Sequence, residues 1–181
     1  MTDYILSIDC GVSTGIALIG YRDDAPPTLE GAWQFSGGVG ALIDWIGVNV
    51  SLDPDVRGLS IPGTQYLFHP WCCPTVVSEK FTARNTKGFS YTTASLEPLR
   101  GEGALIALGL MPDYTPKEKQ WRDPGLQYLV GGKDKADKKK RQHKFLKDSD
   151  FYRTGKDLGA PDADDARSAM GHGIAYIARE V

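Results

Sequence analysis

Hydrophobic and polar positions alternate in short blocks through the first eighty residues. The run YILSIDC (4–10) is apolar, β-branched and short, which predicts a buried strand. Glycines follow it, and IALIGY (16–21) predicts a second strand that pairs back as a hairpin. The alternation in TLEGAWQF (28–35) fits a third strand, and PTVVSEKF (74–81) predicts a further strand. The chain therefore begins with the main strands of a sheet.

Between and after these strands, apolar residues recur at helical spacing. They predict helices over 39–50 and 95–111, the second with Pro98 in its first turn, where a missing N–H costs little. A third helix is predicted over 161–178. The prolines within 51–72 favour a loop. This order of hairpin, strand and helices predicts an α/β fold with a mixed β-sheet and helices on its faces.

Composition narrows the class of protein. A chain of 181 residues is long enough for one domain with a proper core, so we expect a single domain over 1–181. No apolar run approaches the roughly 18 residues of a membrane span, and the N-terminus lacks a secretory pattern. Cys10, Cys72 and Cys73 form no disulfide framework. We therefore expect a cytoplasmic protein with no membrane contact.

The net charge of −2 hides an uneven distribution of charge. The segment KDKADKKKRQHKFLK (133–147) concentrates Lys and Arg and contains two acids, Asp134 and Asp137. Such a run has two interpretations: a solvated surface helix or loop, or a surface that neutralises the phosphates of a nucleic acid.

Four carboxylates stand where they could meet. Asp9 ends the first strand and Glu79 ends a later one, while Asp162 and Asp165 share a face near the start of the last helix. Taken singly, Asp9 could cap a turn and Glu79 could be an exposed residue at a strand end. Together they offer hard oxygen ligands that suit Mg²⁺ or Mn²⁺, and a pair of such ions about 3.5–4 Å apart commonly hydrolyses phosphodiesters.

The segments that contain these carboxylates also resemble segments of a known protein family. ILSIDCGVSTGIALI, VVSEKF, LVGGKDKADKKKRQHKFLK and PDADDARSA are similar, in order, to segments of RuvC-type Holliday junction resolvases of the ribonuclease H-like superfamily. The four stretches extend over nearly the whole chain. The resemblance implies a ribonuclease H-like mixed β-sheet with helices on both faces.

The resemblance also assigns roles to residues. It implies that Asp9, Glu79, Asp162 and Asp165 hold two Mg²⁺ ions, for which Mn²⁺ can substitute, and that Lys138 lies near the scissile phosphate. Asp164 occupies a position at which the family has a small or apolar residue, so we expect no main role for it. DNA contacts are expected from Lys133, Lys135, Lys139, Lys140, Arg141, Lys144 and Phe81. His172, about 10 Å along the helix axis from Asp165, is expected to be an ordinary, partly buried histidine outside the metal site.

The implied function is a metal-dependent endonuclease that resolves four-way (Holliday) and other branched DNA junctions as a homodimer. The helix over 95–111 is a candidate for the dimer interface, although its leucines could equally face the monomer core. Small divergent members of the family occur in bacteriophages, so a phage origin and the host cytoplasm are expected.

Two departures leave alternatives open. Gln127 stands where the family usually has a lysine, and the aromatic wedge could be Phe81, Phe89 or Tyr91. The same carboxylates could therefore serve a broader structure-specific, single-strand or RNA nuclease. IDCGVSTG also resembles the phosphate hairpin of actin-like ATPases and sugar kinases, but those proteins need a second domain. A DNA-binding module with a dead site is disfavoured, because all four carboxylates are present.

Overall fold

The computed structural model describes residues 2–51, 58–59, 74–79, 90–110, 131–134, 136–137, 140–141, 144–145 and 164–181. Its strands are β1 (Asp3–Asp9), β2 (Ser13–Arg22), β3 (Ala25–Ser36), β4 (Val50–Ser51), β5 (Gly58–Leu59) and β6 (Thr75–Ser78). Its helices are α1 (Gly38–Asn49), α2 (Thr93–Ala107) and α3 (Asp164–Glu180).

The main sheet has the strand order β3-β2-β1-β6. β1 pairs antiparallel with β2 and parallel with β6, and β2 pairs antiparallel with β3, so the sheet is mixed as predicted. The prediction of a loop over 51–72 is wrong at two places. Ser51 pairs with Gly58, and Val50 pairs with Leu59, in a short two-stranded antiparallel sheet.

Alternate residues of the strands point to two separate cores. Even-numbered side chains of β1, such as Leu6 and Ile8, face one side, where Leu42 and Ile46 of α1 and Leu105 of α2 cover them. Odd-numbered positions face the other side. That core contains Ile5, Ala17, Ile19, Leu29, Val77, Ala169 and Met170. α1 and α2 therefore cover one face of the sheet and α3 the other, which confirms the predicted fold class.

Helix α2 begins earlier than the sequence suggested. Thr92 and Ser95 form a capping box, in which each side chain accepts a hydrogen bond from the backbone N–H of the other. The cap starts the helix at Thr93, so the prediction that Pro98 lies in the first turn is wrong. Pro98 lies in the second turn, where it removes one backbone donor.

A carboxylate joins α2 to α1. Glu97 accepts a hydrogen bond of 3.0 Å from the backbone N–H of Val39 and pairs with Arg100 at 2.8 Å. These contacts lower the pKa of Glu97, the hydrogen bond from Val39 most. Because negative charge is favoured at a helix N-terminus, Glu97 stabilises the start of α1.

Composition predicts no disulfide framework and no membrane span. Cys10 is a free thiol packed in the core under α1 and α2, and burial raises its pKa to about 12. Cys72 and Cys73 lie outside the described residues. Among the helices that the structure describes, none is both long and apolar enough to cross a membrane.

Candidate metal centre

Parallel pairing brings Asp9 and Glu79 to the same edge of the sheet. Ile8 of β1 is aligned with Ser78 of β6, and the backbone N–H of Glu79 donates to the carbonyl of Ile8 at 3.4 Å. The next residue of each strand therefore leaves the sheet at the same level. Because side chains alternate along a strand, both carboxylates lie on the face of the sheet that α3 covers.

The start of α3 is held against this edge by a glycine and a glutamine. Gly15 is the partner of Asp9 across the β1–β2 hairpin. A Cβ at Gly15 would collide with the backbone of Asp165 and Ala166, so the helix approaches at a distance that only glycine permits. The side-chain oxygen of Gln34 accepts hydrogen bonds of 3.0 Å from the N–H groups of both helix residues. These contacts fix the position of Asp165 beside the hairpin.

One stripe of α3 faces the two strand-end carboxylates. Asp165, Ser168 and His172 are spaced three and four residues apart and so lie on one side of the helix. The Ser168 hydroxyl hydrogen-bonds the Asp9 carboxylate, and the charge of Asp165 is near enough to act on Asp9. Ligand atoms of Asp9, Glu79 and His172 all lie within 4.8 Å of one another.

The expectation that His172 is too far away to share a metal with the carboxylates is wrong, because its ring lies within 4.8 Å of both Asp9 and Glu79. That expectation used the distance along the helix axis between Asp165 and His172. The distance that matters is the one from His172 to the ends of β1 and β6, where Asp9 and Glu79 lie. Close packing of α3 on the sheet shortens that distance: a Cβ at Gly173 would lie 3.3 Å from the Cβ of Ser7 and would collide with Ile19. His172 is therefore 1% exposed and lies against the carboxylates.

The electrostatics of this cluster favour a cation. Burial raises the pKa of Asp9 to about 8, and the negative charges of Glu79 and Asp165 contribute to that rise. Burial alone lowers the pKa of His172 to about 3, so its imidazole is neutral at pH 7. The site thus combines carboxylates that repel one another with an uncharged nitrogen donor. A positive ion among them relieves the repulsion.

The donor set fits a divalent cation. Two ligands on opposite sides of Mg²⁺ lie about 4.2 Å apart, twice its usual ligand distance. The ligand atoms of Asp9, Glu79 and His172 lie within 4.8 Å of one another, so modest side-chain movements would bring all three to one ion. In addition, Nε2 of His172 is buried and has no hydrogen-bond partner in the described structure. Asp9, Glu79 and His172 are thus the described residues whose ligand atoms lie close enough to share a metal, whereas Asp165 acts on Asp9 through its charge and is not a member of that group.

Several predicted site residues fall outside the described part of the chain: Asp162, Lys138, Lys135, Lys139 and Phe81. The described residues of the basic segment, Lys133, Lys140, Arg141 and Lys144, are exposed. Arg141 forms an ion pair with Asp137, with 3.0 Å between its Nε and a carboxylate oxygen. Asp164 is half-exposed and pairs with Arg167.

Sequence reasoning missed Gln34, Ser168 and His172 as parts of this site. Ser168 and His172 could have been found, because they repeat the helical spacing that begins at Asp165. The role of Gln34 gives no sequence signal, since it joins positions 131 residues apart.

Comparison with known proteins supports the fold. The chain superposes on T. thermophilus RuvC in complex with Holliday junction substrate with a TM-score of 0.52 and 10% sequence identity. The match covers 96% of this chain and 92% of the RuvC chain. No protein-family model matches the sequence, and no curated protein matches it. The chain therefore has a RuvC-like fold, recognisable in three dimensions but not by sequence identity.

Proposed function

We propose that the protein is a divalent-metal-dependent endonuclease of the RuvC type that resolves four-way and other branched DNA junctions. The observation that supports this most strongly is the meeting of Asp9, Glu79 and the Asp165 end of α3 at one edge of a RuvC-like sheet. The structural neighbour is RuvC bound to a Holliday junction, which makes branched DNA the first substrate to test.

The carboxylates of the cluster are the proposed metal ligands. Asp9, Glu79, Asp165 and Asp162 hold the cation or cation pair, with Mg²⁺ first and Mn²⁺ as a substitute. Bound there, the metal supplies Lewis-acid activation of water and neutralises charge on the phosphate oxygens.

The residues around the cluster orient it. Ser168 holds the Asp9 carboxylate through a hydrogen bond. Gln34 and Gly15 keep the start of α3, and hence Asp165, against the hairpin.

The basic segment is the proposed DNA-binding surface. The side chains of Lys133, Lys140 and Lys144 are exposed. Each phosphate that such a residue neutralises makes the affinity for DNA fall more steeply as the salt concentration rises. Lys138 is proposed to lie near the scissile phosphate. For the wedge at the junction crossover we keep Phe81 as the first candidate; Tyr91, which is 43% exposed, is an alternative.

A homodimer suits a substrate with two-fold symmetry. α2 could serve both of the roles that its sequence suggested, because Leu105 is buried in the monomer core whereas Leu99 and Ile106 are 47% and 48% exposed. We place the exposed pair in the dimer interface. The single domain over 1–181, the cytoplasmic location and the phage origin remain part of the proposal.

The test is cleavage of a labelled mobile four-way junction with Mg²⁺, beside a 5′ flap and a linear duplex built from the same arms. Paired symmetric nicks in the junction, absent from the duplex, are the expected result. Equal or faster cutting of the flap would replace the resolvase by a broader structure-specific nuclease with the same site. Absence of metal-dependent cutting in all three substrates would contradict the proposal.

A further inference from the structure

We propose that His172 is a direct nitrogen ligand of the cation, so that the centre is a mixed oxygen and nitrogen site. This inference rests on the proposed function, because it specifies the metal site on which that function depends. It adds a ligand from the third turn of α3 to the carboxylate set.

The first argument is the unsatisfied ring nitrogen. His172 is 1% exposed, and its Nε2 atom is buried without a hydrogen-bond partner among the described residues. A buried polar atom left without a partner is costly, so folded proteins rarely retain one without a reason. A metal ion bound to that nitrogen would supply the missing partner.

The second argument is the way in which the chain holds the ring. His172 lies between Gly171 and Gly173, and a Cβ at Gly173 would meet the end of the Ile19 side chain and lie 3.3 Å from the Cβ of Ser7. The helix is therefore pressed on the sheet at the residue next to the histidine. The imidazole is confined beside Asp9 and Glu79, within the 4.8 Å spread that the three ligand atoms share.

The third argument is the chemistry of the donor. A neutral imidazole brings a lone pair without adding to the negative charge of three carboxylates. Imidazole nitrogen is a common ligand of transition metals, whereas Mg²⁺ takes mainly oxygen ligands. The competing role is a histidine that only packs against the carboxylates, and that role predicts no bond between nitrogen and metal.

Pulsed electron paramagnetic resonance of bound Mn²⁺ tests this directly, since a coordinated imidazole nitrogen couples to the electron spin. The chain has three histidines, His69, His143 and His172, so the untagged double variant H69Q/H143Q retains His172 alone. The proposal expects the nitrogen coupling in wild type and in the double variant, and its loss in H172N. Uniform ¹⁵N labelling of histidine should change the coupling pattern in the double variant, which gives a result even if H172N fails to fold.

Bound Mn²⁺ without nitrogen coupling in the double variant would overturn the inference and leave the nuclease proposal intact. Nitrogen coupling together with no cleavage of any DNA would support the inference and contradict the proposed function. The Asp9→Asn variant is the control for occupancy of this site and should lose most of the bound Mn²⁺. Wild-type protein that binds no Mn²⁺ would overturn both.

Discussion

The two faces of the main sheet both bury apolar side chains, but they differ at the strand ends. The face under α1 and α2 is covered by large aliphatic side chains such as Leu42 and Ile46. The face under α3 also buries Ile5 and Ile19, but Gly15 lets the start of the helix approach the sheet closely, and the polar side chain of His172 is buried there. Both faces therefore contribute stability, and the second also places polar groups from a helix and from strand ends within reach of one ion.

The largest expected effect comes from the aliphatic face. Leu42 is 1% exposed in that core, and Leu42→Ala should lower the free energy of unfolding by about 2–5 kcal/mol through lost burial and a cavity. Urea denaturation measures this loss. The folded fraction of the variant should bind Mn²⁺ as wild type does. A loss of Mn²⁺ binding by folded Leu42→Ala would show that the two faces are not independent.

Gly15→Ala should damage both stability and the site. The new Cβ would collide with the backbone of Asp165 and Ala166, so the start of α3 must move, at about 1–3 kcal/mol. The rise in melting temperature that Mg²⁺ produces should shrink as well. Gly40→Ala in α1 is the matched control, because nothing lies within 4 Å of a Cβ there. That change should stabilise the protein slightly, since alanine favours a helix.

The charge cluster should make the metal-free protein less stable as pH rises. The pKa of Asp9 is about 8 in the folded chain against 3.8 for a free carboxyl, so between these values the folded state binds more protons than the unfolded state. Stability therefore falls with rising pH through this window, by at most about 1.4 kcal/mol per unit. His172 has the opposite effect below its usual pKa of 6.5, so the decline should be clearest from pH 6.5 to 8.

Thermal unfolding of metal-free wild type and Asp9→Asn across that interval checks the prediction. Other groups that act on Asp9 are Glu79, Asp165 and Ser168, and they are the same in both proteins. The variant should lose less stability than wild type over this interval, and saturating Mg²⁺ should reduce the decline in wild type. Parallel curves for the two metal-free proteins would show that Asp9 is not the group responsible.

The smallest effect compares two helix caps, one on each face. Gln34→Ala removes the acceptor at the start of α3, and Thr92→Ala removes the acceptor that caps α2. Each should cost about 0.5–2 kcal/mol. Only Gln34→Ala should also weaken Mn²⁺ binding, measured by calorimetry, because only that cap positions Asp165. Equal Mn²⁺ affinity in the two variants would contradict the positioning role of Gln34.

The parts that sequence could predict were those encoded locally. Short apolar runs located β1, β2 and β6, and the ends of the first and last of these runs marked Asp9 and Glu79. The parts that it could not predict depend on contacts between distant segments. Nothing local tells that Gln34 caps α3, or that Gly173 presses α3 against Ser7 closely enough for His172 to reach the carboxylates. The start of α2 was a local error, since Thr92 and Ser95 form a cap that their spacing permits.

The central claim is that the cluster around Asp9 is a nuclease centre. The most direct measurement is Mg²⁺-dependent cleavage of the four-way junction by Asp9→Asn and by Asp164→Asn, with equal DNA binding verified for both. Asp164 is the matched control, because it is a half-exposed aspartate next to Asp165 that pairs with Arg167. The account predicts background cleavage for Asp9→Asn and nearly wild-type cleavage for Asp164→Asn. Cleavage by Asp9→Asn at the wild-type rate would contradict it.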